Sequence, residues 1–232
     1  MHNINGGIIK PIKSICLLML VILGSSFLNT CCYAEEKKTV KFLAISGSIR
    51  KESCNKKALK VLVRAVRDAG AEVTHLDLAD YPMPLYDGDL ESQQGLPANV
   101  KKFQSLIAKH DGLIIASPEY NGLPTPLLKN ALDWASRTDK NNQNSGVKIF
   151  EGKVAALISA SPSNLGGVRG LPITAQFLSN LGLIVVPDRA TIGNCFENFD
   201  ANGEVKDERI RALIIKEGKM ATKIALAIKY MN

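Results

Sequence analysis

Residues 40–58 constrain this chain more than any other stretch. They begin with Val-Lys-Phe-Leu-Ala-Ile-Ser (40–46), a short apolar run that reads as a buried strand. Gly-Ser-Ile-Arg-Lys-Glu-Ser-Cys-Asn (47–55) follows and is small, polar and turn-prone. Ala58, Leu59, Leu62, Val63 and Val66 then recur at helical spacing. A strand, a tight loop and a helix start aim the loop amides and first-turn N–H groups at one place, where the helix dipole adds positive potential. Ser48, Ser53 and Asn55 add side-chain donors, Cys54 sits among them, and Arg50 adds a planar cationic fork. The stretch is a candidate phosphate cradle. The alternative is an ordinary strand-to-helix turn with Ser53 or Asn55 as its cap. No G-x-x-x-x-G-K-[ST] is present, so a nucleoside-triphosphate loop would lack its lysine. No G-x-G-x-x-G is present either, so the dinucleotide fingerprint is absent.

The same alternation continues downstream. Residues 72–78 alternate as a second strand, and 79–96, with Pro82, Pro84, Gly88 and Gly95, read as a long loop without regular structure. A helix is expected over 97–110, a buried third strand over 112–117, a helix over 127–136, a fourth strand over 153–159, a helix to Leu181, and a fifth strand over 183–186. Residues 187–207 read as irregular, and a last helix runs from about Glu208 to Tyr230. Five strand–helix alternations predict an open parallel α/β sheet with helices on both faces. Ligands of such sheets sit beyond the carboxyl ends of the strands. The small-residue loops at 47–55, 118–125 and 160–169 follow strands one, three and four, so they should converge there.

Charge and cysteine narrow the classes. The net charge is +7, spread along the chain rather than run together. That suits anionic small ligands or a solvated surface, and not a nucleic-acid face. Residues 1–34 hold no acid, and Lys10 and Lys13 precede an apolar run over 15–23. That is the pattern of a secretory leader, cleaved after Ala34; lipid attachment at Cys31, an uncleaved anchor and a misassigned start are the alternatives. Residues 35–232 then form one domain. Cys54 and Cys195 would be its only cysteines, and spacing cannot decide whether they pair. No set of His and Cys has metal-ligand spacing.

Two motifs carry a family resemblance. The loop Gly47-Ser48-Ile49-Arg50-Lys51-Glu52-Ser53-Cys54-Asn55 fits G-S-x-R-x-x-S-x-N, and Ser117-Pro118-Glu119-Tyr120-Asn121-Gly122 precedes Leu128-Lys129-Asn130-Ala131-Leu132-Asp133-Trp134. With these, the chain from Val40 to its last helix resembles the NADPH-dependent FMN reductases of flavodoxin-like fold, which include quinone, azo-dye and chromate reductases. The resemblance implies a five-stranded parallel sheet, FMN as cofactor, and NADPH or NADH as substrate. Hydride would pass from nicotinamide through the flavin to quinones, azo compounds, free flavin or metal oxyanions. By similarity, Ser48, Arg50, Ser53, Cys54 and Asn55 would surround the FMN phosphate. Pro118, Glu119, Tyr120, Asn121 and Gly122 would line the ring, and Ser159, Ser161 and Ser163 would close its other edge. The flavin carries the chemistry, so no catalytic side chain and no metal is expected. Leu128, Asp133 and Trp134 read as helix packing. A homodimer or a dimer of dimers would pair through Met83, Leu85, Tyr86 and Leu127. An electron carrier of flavodoxin type and a non-catalytic flavin-binding module are the alternative functions. The leader suggests export or membrane association, whereas the family suggests the cytoplasm.

Overall fold

The computed structural model describes residues 38–231, so the expected leader, with Cys16, Cys31 and Cys32, lies outside the described residues. In chain order the strands are β1 (Lys41–Ser46), β2 (Glu72–Leu76), β3 (Gly112–Ala116), β4 (Glu119–Tyr120), β5 (Leu123–Pro124), β6 (Val154–Ala160), β7 (Ile184–Val185) and β8 (Ala190–Ile192). The helices are α1 (Cys54–Asp68), α2 (Gly88–Gln94), α3 (Ala98–Ala108), α4 (Pro126–Ala135), α5 (Gly170–Asn180), α6 (Cys195–Asn198) and α7 (Glu208–Met231). The main sheet is parallel throughout, in the order β2-β1-β3-β6-β7, with β8 also pairing to β6.

The period of two along each strand divides the core in two. Phe42, Ala44, Ile114, Ala116, Val154, Ala156 and Ile158 face α1 and α7. Leu43, Ile45, Leu113, Ile115, Ala155 and Leu157 face α3, α4 and α5. Every residue of β3 and β6 is buried, as expected of parallel strands covered on both faces. Each fully buried Leu, Ile, Val or Phe contributes about 1.5–3 kcal/mol relative to exposure. These two layers therefore hold the fold, and the loops beyond the strand ends can keep polar groups for other purposes.

The fifth strand is split. Ile184 lies opposite Val154 and Ala190 opposite Ile158, with Pro187-Asp188-Arg189 between the two halves. Glu217 of α7 fills the gap: its Oε1 accepts from the Leu157 amide at 2.7 Å and its Oε2 from the Ala190 amide at 3.2 Å. Burial pushes this carboxyl well above its usual range, and the two amides act in the opposite direction.

The expected alternation is present, with element ends shifted by a residue or two. Three segments differ from expectation. Residues 79–96 are not structureless: Leu78–Asp80 form a 3₁₀ turn, and Asp87 caps α2 by accepting from the amides of Asp89 (2.8 Å) and Leu90 (3.3 Å). The segment is fastened to α4, where Asn130 Nδ2 and Trp134 Nε1 both donate to the Pro84 carbonyl at 2.8 Å. Tyr86 packs edge-on against Trp134 at 5.0 Å. Residues 119–124 form a small antiparallel hairpin, β4–β5. Residues 187–207 contain β8 and α6.

Candidate cofactor site

The strand order reverses between β1 and β3, and the loops leaving β1, β3 and β6 meet beyond that reversal. A cleft of about 150 Å³ opens there, lined by Ser48, Arg50, Ser53, Cys54, Asn55, Pro118, Glu119, Tyr120, Ala160, Ser161, Pro162 and Phe196. A second cleft of about 430 Å³ shares Ser48, Arg50 and Tyr120 with it and continues past Ile49, Pro126 and Leu127. Nine of the residues expected at the site thus line one cleft. Asn121 and Gly122 lie at the hairpin tip, and Ser159 and Ser163 also lie outside the cleft lining.

The first loop folds on its own hydroxyls. The Ser48 amide donates to Ser46 Oγ (3.2 Å) and the Arg50 amide to Ser48 Oγ (3.3 Å). Ser53 is the N-cap of α1, its Oγ accepting from the Lys56 amide at 3.3 Å. The amides of Cys54 and Asn55, in the first turn, donate to no backbone carbonyl among the described residues. Arg50 is exposed at the rim, and no carboxylate among the described residues pairs with it. Asn55 is different from its neighbours: its Nδ2 donates to the Ala160 carbonyl (2.7 Å) and its Oδ1 accepts from the Ala160 amide (3.0 Å). The buried amide side chain clasps the first loop to the end of β6, so it is not a donor held open for a ligand.

The second loop is braced from both sides. Thr125 Oγ1 donates to the Gly47 carbonyl at 2.7 Å and caps α4 through the Leu128 amide. Asn121 (φ 54°) and Gly122 (φ 83°) are both left-handed, the conformation a two-residue hairpin turn requires. Glu119 Oε2 accepts from the amides of Arg169 (3.0 Å) and Gly170 (2.9 Å) at the start of α5, and Oε1 from Arg169 Nε (2.8 Å). Burial alone would raise the Glu119 carboxyl. The Gly170 amide and the Arg169 side chain outweigh it and hold the carboxyl below its ordinary value. Its charge is therefore neutralised within the wall, and Tyr120 beside it is 57% exposed.

The third loop packs against the segment that follows β8. Ser161 donates its amide to Ile192 (3.0 Å), and Asn194 and Cys195 donate theirs to Ser163 (3.0 Å) and Ser161 (3.1 Å). Gly167 (φ 91°) passes so close over Ser159 that a Cβ would lie 1.9 Å from the serine Oγ. That buried hydroxyl has no partner among the described residues. Cys195 forms a disulfide with Cys54, the Cα atoms 6.1 Å apart. Phe196, which the sequence reading passed over, stands 64% exposed at the cleft rim.

A profile of the NADPH-dependent FMN reductase family matches residues 40–197, the span that builds this cleft. The chain belongs to that family. Members are oxidoreductases that use FMN and a reduced nicotinamide, and this chain is one of them. It is 34% identical over 176 residues to an NAD(P)H-dependent FMN reductase of Pseudomonas aeruginosa, covering 75% of this chain and 89% of that one. It is 31% identical over 172 residues to a quinone reductase of Escherichia coli, covering 73% and 86%. Among solved structures, the FerB flavoenzyme of Paracoccus denitrificans superposes with a TM-score of 0.65 at 24% identity, over 81% of this chain and 97% of that one. This last likeness concerns the fold, which is flavodoxin-like.

The cleft fits the phosphate end of FMN. It offers open amides at a helix N-terminus, serine hydroxyls, one unpaired guanidinium, and a single carboxylate that is already neutralised. Among the described residues there is no group of three potential metal ligands, and no helix is long and apolar enough to cross a membrane.

Proposed function

We propose that the FMN phosphate is held by Ser48, Arg50, Ser53 and the amides of Cys54 and Asn55, with the ring along Pro118–Gly122, and that quinones are among the electron acceptors. The observation that carries this reading is the set of open first-turn amides and the unpaired Arg50 facing the braced hairpin. When bound, FMN supplies the hydride and electron transfer itself. The chain's residues bind and orient. Ser53 fixes the helix start, Thr125 fixes the spacing between the first two loops, and Glu119 fixes the hairpin against α5. No histidine lines the cleft, and Tyr120 shapes its open side. The relatives named for NAD(P)H and for quinone support the same donor and acceptor classes. Rapid mixing of the FMN-loaded protein with NADPH and with NADH tests the reading. Bleaching of the flavin by either supports it; bleaching by dithionite alone would transfer the protein to the electron-carrier class.

Two further features belong to this proposal. The chain pairs with a second copy around the apolar groove lined by Ile49 (52% exposed), Leu78, Tyr81, Met83 and Leu127, with Leu85 (79%) two residues on from Met83. Light scattering at micromolar concentration would show a monomer if this is wrong. The leader composition and the disulfide, which persists in oxidising compartments, support export, whereas the nicotinamide donor of the family supports the cytoplasm. N-terminal sequencing of the purified protein gives Glu35 if the leader is removed.

A further inference from the structure

The Cys54–Cys195 disulfide joins the start of α1 to the start of α6 at the edge of the core layer that α1 and α7 cover. Its first half-cystine opens α1, inside the phosphate cradle. Its second opens α6, and the next residue is Phe196 at the rim of the same cleft. Both cysteines are buried, Cys195 at 1% and Cys54 at 9% exposure, and Cys54 borders the open cleft. α6 has only four residues, and its Asn194 cap is left-handed at φ 45°. Such a short turn has little stability of its own. It is held by three backbone hydrogen bonds to 161–163, by the pairing of β8 with β6, by the Lys206 amide donating to the Asn198 carbonyl at 2.8 Å, and by the disulfide; Asn198 Nδ2 donating to Gly193 at 2.6 Å closes the segment on itself. Of these, only the disulfide ties it to α1, whose N-terminus opens into the cleft.

We propose that this disulfide is a redox-set latch on the cofactor: oxidised, it holds the 192–198 segment and Phe196 against the cradle and retains FMN, and reduced, it lets the segment loosen and the cofactor leave faster. The proposal rests on the cradle being the FMN phosphate site. The chemistry is thiol–disulfide exchange with a dithiol reductant. One thiolate of the reductant attacks a sulfur of the bridge, and a mixed disulfide forms as the other cysteine leaves as a thiolate. The second thiol of the reductant then displaces the cysteine still held in the mixed disulfide. The reductant becomes a disulfide, and Cys54 and Cys195 each end with a proton. Two electrons and two protons pass in all. Phe196 then loses its fixed position, and the cleft loses one wall. Retention falls because the bound complex must now order a segment that the bridge had already ordered.

The test is the rate at which FMN leaves the loaded protein, read from the fluorescence of free FMN, with the bridge established by mass mapping of the joined peptides. Dithiothreitol treatment of the wild type is expected to speed release about tenfold. Cys195→Ser is expected to release at that faster rate with or without reductant, and Phe196→Ala, with the bridge intact, to release several-fold faster. Should Cys195→Ser fail to fold, dithiothreitol titration of the folded wild type gives the answer alone. Equal release from oxidised and reduced wild type overturns the proposal, and so does absence of the bridge from the purified protein. Arg50→Ala separates the two readings. If it weakens FMN binding while reduction changes nothing, the latch is wrong and the cradle stands; if it leaves binding unchanged, the cradle itself is wrong.

Discussion

The two loops that form most of the cleft treat their polar groups in opposite ways. Between Gly47 and Ser53 the chain satisfies only what is needed to hold its shape, leaving the Cys54 and Asn55 amides and the Arg50 guanidinium open. Between Glu119 and Thr125 almost everything is spent. Glu119 is tied to Arg169 and Gly170, Thr125 to Gly47 and Leu128, and the Asn-Gly tip to its own turn. A loop that must bind a charge keeps its donors unpaired, and a loop that must present a surface stiffens itself. The contrast predicts that substitutions in the first loop change affinity, whereas those in the second change stability.

Asn55 is the residue of the first stretch that behaves like the second, so it is the severest test. Asn55→Ala orphans the buried amide and carbonyl of Ala160, at about 1–3 kcal/mol for each. Thermal unfolding of the FMN-free protein should show that loss; an unchanged Tm would mean the clasp does not join the loops. Arg50→Ala should weaken FMN binding by about 1.5–3 kcal/mol, with the FMN-free protein as stable as before. Fluorescence titration and thermal melts together check this, and a fall in stability matching the fall in affinity would erase the distinction between the loops.

Glu119→Gln should do the reverse, costing about 1 kcal/mol of stability with little change in FMN affinity. Its pH dependence has a definite sign. The folded carboxyl is held below its ordinary value of 4.5, so its stabilising effect is present above that pH and is lost as pH falls through the lower folded value. Melts of wild type and variant should therefore converge in acid; a gap that stays constant down to the folded value would contradict the ion pair. The smallest effect is expected at the exposed Tyr120. Tyr120→Phe should leave FMN affinity within about 0.5 kcal/mol while shifting the ratio of kcat/KM between two quinones of different size.

Much of this architecture was legible from local pattern. The continuous apolar runs of β1, β3 and β6 and the apolar stripes of α1, α3 and α4 correspond to real burial, because the strands are covered on both faces and the stripes do the covering. The β4–β5 hairpin reads as loop because prolines surround it, although Asn121-Gly122 is the dipeptide a two-residue turn demands. α2 was hidden for a physical reason, since it buries no residue and so carries no stripe, and it begins with Gly88. The long-range pairings had no local signal at all. Asn55 reads as an open donor until Ala160 is brought beside it, Glu217 carries no signal until the split strand surrounds it, and Phe196 has no role until Cys195 is joined to Cys54. Each depends on a contact whose partners are far apart in the chain.

That last bond also sets a condition on how the molecule is made. Cys54 and its partner are separated by 141 residues, and β1, β3, β6 and β8 must be assembled before their sulfurs meet. Cys31 and Cys32 stand far nearer to Cys54 along the chain, and in an unfolded chain the shorter loop closes at the lower entropic cost. A molecule oxidised while residues 1–34 are attached and β8 is unmade favours the wrong partner. Correct pairing is therefore a matter of timing: folding first, and oxidation second.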